Sequence, residues 1–490
     1  AACIAWPIIL MAVERLLAVV LLAVRNKKPG AAYNVDRHHA LASRVAQESI
    51  VLLQNGHGIL PLGKTGRYAV IGRFAETPRY QGGGSSHIHP TRLEKPLEEL
   101  RKAAPEAVLT YAPGFDLETA GGIFSAKMRE SVCDRPDEAK IAAAVRTAAA
   151  ADAAVVFLGL PETYESEGFD RLHMRLPEGQ IRLLEEIVRV QKHVVVVLQN
   201  GSPVEMPWAG GVDGVVECYL GGQGGGSAVA RVLFGDANPC GKLAETFPQK
   251  LSDTPGYLNF PGDGRRVEYR EGIFVGYRYY EAKKLRPLFP FGHGLSYTRF
   301  SYEAISVNRD SMREDETLTA AVRVRNVGGR AGKEIVELYI RDPECSVLRP
   351  AKELKGFAKV ALEPGEAKTV SFELGRRAFA FYSDEEHRWK VESGRFEILA
   401  GPSSAETPLS ATVTVEAVQA ERRVYGRNTT LHELSRDPQA MELVRKNFPG
   451  IDRLPLSMLD SIPVRSLGMF GGAARGEQLL RDLTALNSGR

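Results

Sequence analysis

The segment YESEGFDR, residues 164–171, places three carboxylates and an arginine within eight positions, shortly after the apolar run AAVVFLGL (153–160). General acid catalysis needs a carboxyl group whose pKa is raised by burial or by a neighbouring anion, so that it still holds its proton when a leaving oxygen arrives. Glu165 and Glu167 fall on one side if the backbone is extended. Gly168 permits a sharp turn, and Arg171 can hold one acid as a paired carboxylate while another stays neutral. A solvated acidic loop with structural ion pairs satisfies the same spacing, so spacing alone leaves both readings open.

Such a loop needs a frame to hold it. Between residues 38 and 300, strand candidates YAVIG (68–72), AVLTY (107–111), AAVVFLGL, HVVVVLQN (193–200) and GVVECYL (214–220) stand among the helical stretches RLEKPLEELRKAA, DEAKIAAAVRTAAAA, PEGQIRLLEEIVRVQ and GGSAVARVLFG. Continuous apolar strands separated by amphipathic helices predict an α/β fold with a mainly parallel sheet covered on both faces. Ligands of such sheets bind beyond the carboxyl ends of the strands. GRFAETPRYQGGGSS, PETYESEGFDR, QNGSPVEMPW and GGQGGG occupy those positions.

From about residue 300 the period changes to two, with Leu318, Ala320, Val322 and Val324 on one face, and predicts a β-sandwich of immunoglobulin-like or fibronectin type III-like build. From about residue 416 the chain turns polar and ends in amphipathic helical segments, a partly helical tail expected to pack on another domain. The divisions expected are an α/β sandwich over 38–299, the β-sandwich over 300–415 and an extension over 416–490.

Other motifs are set aside on context. GILPLGKT (58–65) matches GxxxxGK[ST], but a phosphate loop follows a strand and opens a helix, whereas here a helix is expected before it and the strand YAVIG follows. GGGSS (82–86) and GGQGGG (221–226) do not complete GxGxxG and read as turns and close backbone approach. Ten histidines are scattered without HExxH, so no metal is implied, and His38 and His39 open a helix. GxSxG is absent. Asn200 in NGS and Asn428 in NTT fit a glycosylation acceptor that only a secreted chain would use. YREGIFVGYRYYE (269–281) could be a sugar platform, though domain-interface packing is the preferred reading.

Composition narrows the class. The 490 residues, 44% hydrophobic, supply material for two or three cores. With 63 Lys and Arg against 60 Asp and Glu, nothing favours nucleic acid or an anionic membrane. Cys3, Cys133, Cys218, Cys240 and Cys345 lie far apart without CxxC, which favours free thiols in a reducing compartment and hence the cytoplasm. The apolar N-terminus lacks a basic leader and is interrupted by Glu14 and Arg15, so a core helix is expected rather than a signal or span.

The ordered segments ESIVLLQN, YAVIGRFA, YESEGFDRLHMRLP, NGSPVEMPW, VLFGDANPCGKLAETFP, EGIFVGYRYY and PLFPFGHGLSYTRFSYE together resemble the C-terminal half of glycoside hydrolase family 3, the β-glucosidase and β-xylosidase group. EIVELYIRDPECSVLRPAKELKGFAKVALEPGE is similar to the fibronectin type III-like domain of many members, and the likeness covers roughly residues 40 to 415. The resemblance implies a retaining exo-glycosidase without cofactor, acting on a β-linked oligosaccharide or glucoside. It makes Glu167, in a Glu-Gly motif, the general acid/base, with Tyr164, Glu165, Asp170 and Arg171 orienting it or tuning its pKa. RYQGGGSS resembles a second loop beside the cleft, making Arg79, Gln81 and Ser85 candidate substrate or supporting residues.

The chain departs from the family in one respect. Members carry the nucleophile, an Asp in an SDW-like motif, on a preceding (β/α)8 barrel, and no SDW occurs here. MAVERLLAVVLLAVRNKKP is similar to the last barrel helix and linker, so residues 1–37 are expected to be a remnant of that domain and the chain to be inactive alone. The competing expectation is a non-catalytic carbohydrate-binding or interaction protein; a nucleotide-dependent enzyme is a third. Association of copies through the β-sandwich or the tail remains open.

Overall fold

The computed structural model describes residues 2–27, 30, 32–117, 132–384, 386–418, 425–453 and 461–488. Among them no helix is long and apolar enough to cross a membrane. Strands β1 (Val51–Asn55), β2 (Arg67–Ile71), β3 (Val108–Ala112), β4 (Ala153–Gly159), β5 (Val194–Gln199) and β6 (Gly214–Glu217) form one sheet in the order β1-β6-β5-β4-β2-β3. β4 and β5 are buried along their whole length, as strands covered on both faces must be. Neighbours from β6 across to β3 run parallel.

The chain moves from β2 outward to β3, then returns to place β4 on the other side of β2 and continues outward through β5 and β6. Strand order therefore reverses between β2 and β4. At such a switch point the loops leaving the two carboxyl ends diverge and open a crevice, and here they are the loops that begin at residues 72 and 160.

The sheet also holds a strand that sequence periodicity did not separate. β1 follows helix α2 (Val35–Ser49) after a single residue and pairs antiparallel with β6. A five-residue apolar run abutting a helix carries no period of its own. The segment GILPLGKT thus follows a strand and a short 3-10 turn, not the expected helix, and leads into β2 without opening a helix. Lys64 pairs with Asp236 at 2.7 Å.

The first helix, α1 (Ala2–Arg25), corrects another expectation. Met11 to Val24 are all exposed, so this is not a core helix in the chain as it stands.

The β-sandwich has one sheet of Glu353–Leu362, Gly332–Arg341, Gly394–Gly401, Leu409–Glu416 and Ser311–Arg313, facing another of Ala367–Leu374, Leu318–Asn326 and Phe300–Val307. Leu318, Ala320, Val322 and Val324 all point into its core. The aromatic segment 269–281 resolves in part to a domain interface. Tyr277 packs on Tyr339 at 5.8 Å, and its hydroxyl accepts a hydrogen bond from the Leu354 N–H at 2.8 Å. Lys352 pairs with Glu281 at 2.7 Å, and Lys242 with the buried Glu334 at 3.4 Å.

The described part of the tail builds its own core from Tyr425, Leu431, Leu434, Met441, Val444, Leu467, Leu479 and Leu483, instead of lending an apolar face wholly to another domain.

Candidate active site

The loop after β4 folds back at once, because the Tyr164 and Glu165 N–H groups both donate to the Pro161 carbonyl, at 2.9 and 3.2 Å. Beyond that turn the Glu165 and Glu167 carboxylates do not share a partner. Glu165 accepts from the Gly201 N–H at 2.7 Å and from the Ser202 hydroxyl. Glu167 accepts from the Ser85 N–H at 2.8 Å.

The loop after β2 reaches Glu167 through its glycines. A Cβ on Gly84 would lie 2.6 Å from Glu167 Cβ, and Gly84 has φ +81°, so the residue meets a steric and a conformational demand together. This agrees with reading GGGSS as close backbone approach. The GGQGGG segment behaves alike: a Cβ on Gly226 would lie 2.9 Å from Glu94 Cβ. Glu94 accepts from the Ser227 N–H at 2.8 Å in the first turn of α3 (Gly225–Leu233) and pairs with the buried His39 at 2.6 Å. The position where a phosphate would sit is therefore taken by the protein's own carboxylate.

Arg79 and Arg171 brace the loop from below. Arg79 donates to the Glu165 carbonyl at 2.7 Å and lies 3.4 Å from Glu162. Arg171 was expected to pair with an acid. It donates instead to the Ser202 hydroxyl at 2.8 Å and the Pro203 carbonyl at 3.0 Å, because its guanidinium is drawn under the 200–203 turn. Burial pushes the pKa of both arginines down, while Glu162 and Glu165 beside Arg79, and Glu165 and Glu205 beside Arg171, oppose the shift.

The remaining candidates divide. Tyr164 donates to Asp134 and packs edge-on against His173 at 5.6 Å; burial, then Asp134, raises its pKa. Gln81 fastens its own loop, accepting from the Ile88 N–H at 3.0 Å and donating to the Ile88 carbonyl at 3.3 Å. Asp170 is exposed.

The largest difference from expectation concerns Glu167 itself. Its carboxyl is exposed, and Ser85, through its side chain and its backbone N–H, holds the pKa below the ordinary value instead of above it. The carboxyls pushed upward lie deeper. Burial raises Glu217 well above its usual range, and burial also raises Glu245, which accepts from the Tyr219 hydroxyl at 3.2 Å. Neither was singled out from sequence, although a glutamate inside the apolar run GVVECYL was a usable signal. Gly201 and Ser202 were seen only as part of the loop NGSPVEMPW and of a glycosylation pattern.

A family model for the glycosyl hydrolase family 3 C-terminal domain matches residues 50–297, and one for a fibronectin type III-like domain matches residues 334–404. Thermostable beta-glucosidase B of Acetivibrio thermocellus is 49% identical over 484 residues, covering 96% of this chain and 62% of that protein. An exo-alpha-(1->6)-L-arabinopyranosidase of Bifidobacterium breve is 42% identical over 396 residues, 78% of this chain and 50% of that one. The crystal structure of a family 3 beta-glucosidase from Bifidobacterium adolescentis superposes with a TM-score of 0.75 at 39% identity, over 85% of this chain and 59% of that one. The chain thus spans between half and two thirds of the length of these relatives.

Proposed function

We propose, since this chain belongs to glycosyl hydrolase family 3, that it is the acid/base-bearing part of a β-glucosidase-type hydrolase that removes terminal β-D-glucosyl or xylosyl residues with retention. Glu167 protonates the leaving oxygen and then takes a proton from the water that releases the sugar. The observation that carries this reading is the Glu167 carboxylate held by the Ser85 N–H at the crevice where strand order reverses. The A. thermocellus relative is named a beta-glucosidase, while the B. breve relative is named for an arabinopyranoside, so the sugar is the least constrained part of the proposal.

Retention requires a second carboxylate roughly 5 to 5.5 Å from the first, to attack the anomeric carbon. The resemblance to family 3 implies that the nucleophile is carried by a (β/α)8 barrel outside these residues, and Glu165 is already engaged by the Gly201 N–H and the Ser202 hydroxyl. On this account the chain alone turns over no substrate. The exposed apolar side chains of Ile88 and Leu172, in the two loops that meet at Glu167, are of the kind a further domain covers. Docking of that domain, with a bound sugar, would strip water from Glu167 and lift its pKa into the range an acid needs. A reducing compartment belongs to the same proposal, supported by the free thiols of Cys218, Cys240 and Cys345.

Leaving-group dependence tests the reading. With the barrel supplied on a longer chain or in trans, Glu167→Gln should slow glucosides of poor leaving groups by about 10²- to 10⁴-fold. Aryl glucosides of acidic phenols, which need little protonation, should lose much less in the glycosylation step. Equal losses for both would remove Glu167 from the acid role.

A cavity of about 480 Å³ gives a second reading some support. It is lined by Met174, Pro203, Glu245, Tyr277, Tyr280 and Phe291 among others, a mixture of aromatic walls and a carboxyl suited to a sugar ring. A non-catalytic binding protein would bind glucose, cellobiose or xylobiose there, and titration with these sugars separates it from the first reading.

A further inference from the structure

We infer that Glu217, at the end of β6, and Asn200, just beyond β5, are positioning residues that set the acid/base loop in place through the 200–203 turn. The inference rests on reading Glu167 as the acid/base.

Glu217 and Asn200 are both fully buried. One Glu217 oxygen accepts from the Tyr219 N–H at 2.8 Å, the other from Asn200 Nδ2 at 3.0 Å. The same Asn200 amide nitrogen donates to the Ser202 carbonyl at 2.9 Å and closes the turn. That turn presents the Gly201 N–H and the Ser202 hydroxyl to Glu165. Arg171, at the far end of the acidic segment, donates to the same Ser202 hydroxyl and to the Pro203 carbonyl. Both ends of the segment that contains Glu167 are therefore fastened to one turn, and the turn is fastened to Glu217.

Sheet packing does not call for this residue. Val215 and Val216 fill β6 beside it, and a carboxyl buried among them carries a desolvation cost that an aliphatic side chain avoids. What a valine could not do is hold Asn200. Burial raises the Glu217 pKa, with the Tyr219 N–H and the Asn200 amide opposing the shift and Glu245 and Glu165 adding to it. Asn200 Oδ1 is buried without a hydrogen-bond partner among the described residues. Burial favours the neutral form of this carboxyl, whose closest mimic is a neutral amide, and this gives the inference a signature that a generic core role lacks.

The test is hydrogen–deuterium exchange, read by mass spectrometry, on the full 490-residue chain and its variants. Glu217→Gln should match the parent. Glu217→Ala should speed exchange of the amides of residues 162–172 by about 10-fold or more while those of β4 and β5 keep their protection. If Glu217→Ala does not fold, Asn200→Ser cuts the same link with a smaller void and should loosen the same amides. Unchanged exchange over 162–172 in a folded Glu217→Ala or Asn200→Ser variant overturns the inference, as does a Gln variant as loose as the Ala variant. No turnover enters the readout. A wrong assignment of Glu167 would therefore leave this result standing, and a failure here would leave that assignment intact.

Discussion

The Ser85 N–H meets the Glu167 carboxylate at 2.8 Å across 82 positions of sequence, joining the loops that leave β2 and β4. A backbone donor is a fixed point, since no rotamer change can withdraw it. It also favours the ionised carboxyl. Under the proposed function, the acid form of Glu167 therefore depends on what covers it.

That contact depends on a residue without a side chain. Gly84→Ala puts a Cβ 2.6 Å from Glu167 Cβ at a φ of +81°. We expect a loss of stability of about 1–3 kcal/mol from strain and clash. Under the proposed function, with a barrel supplied, kcat should fall about 10- to 100-fold, as the proposed acid/base carboxyl is displaced. Thermal unfolding and steady-state kinetics check the two parts separately.

The junction between the α/β domain and the β-sandwich should respond to pH. Burial pushes the Glu337 carboxyl up to about 7, with Tyr339 and Lys242 opposing the shift and Glu334 adding to it. A carboxyl with a raised folded pKa favours the folded state while protonated. Its contribution is complete below the ordinary value of 4.5 and is lost as pH rises through about 7. Thermal unfolding from pH 5 to pH 8 should show stability falling by up to about 3 kcal/mol, and Glu337→Gln should flatten the fall.

The glycine-rich segment before α3 should be inert to nucleotides. Glu94 already receives the Ser227 N–H and the His39 ring, and despite the opposing effect of burial these bonds hold its pKa below the ordinary value. Glu94→Ala leaves a buried N–H and His39 without their acceptor, for an expected loss of about 1–3 kcal/mol. ATP or NAD should not shift the melting temperature of either form, which differential scanning fluorimetry can show.

The sheet and the sandwich were legible in the sequence because their signals are local. The continuous valines of β4 and β5 and the alternation from Leu318 to Val324 each declare a period within one element. β1 was hidden by its junction with α2. The site was legible by residue type but not by partnership. Glu165 and Glu167 look equivalent in sequence, but the fold gives them different partners, Gly201 and Ser202 for one and Ser85 for the other. Arg171 finds Ser202 and Pro203 in place of an acid, through a contact made 31 and 32 positions away. Glu217, read as one letter of an apolar strand, acquires meaning only beside Asn200 on the adjacent strand's loop.

Azide rescue probes the role of Glu167 most directly. Under the proposed function, with a barrel supplied, Glu167→Ala acting on a glucoside of an acidic phenol should stall at release of the sugar, because no base activates water. Azide attacks without deprotonation, so it should raise turnover by about 10-fold or more and yield the β-glycosyl azide. No acceleration, or an α-glycosyl azide, would contradict Glu167 as the acid/base of a retaining mechanism.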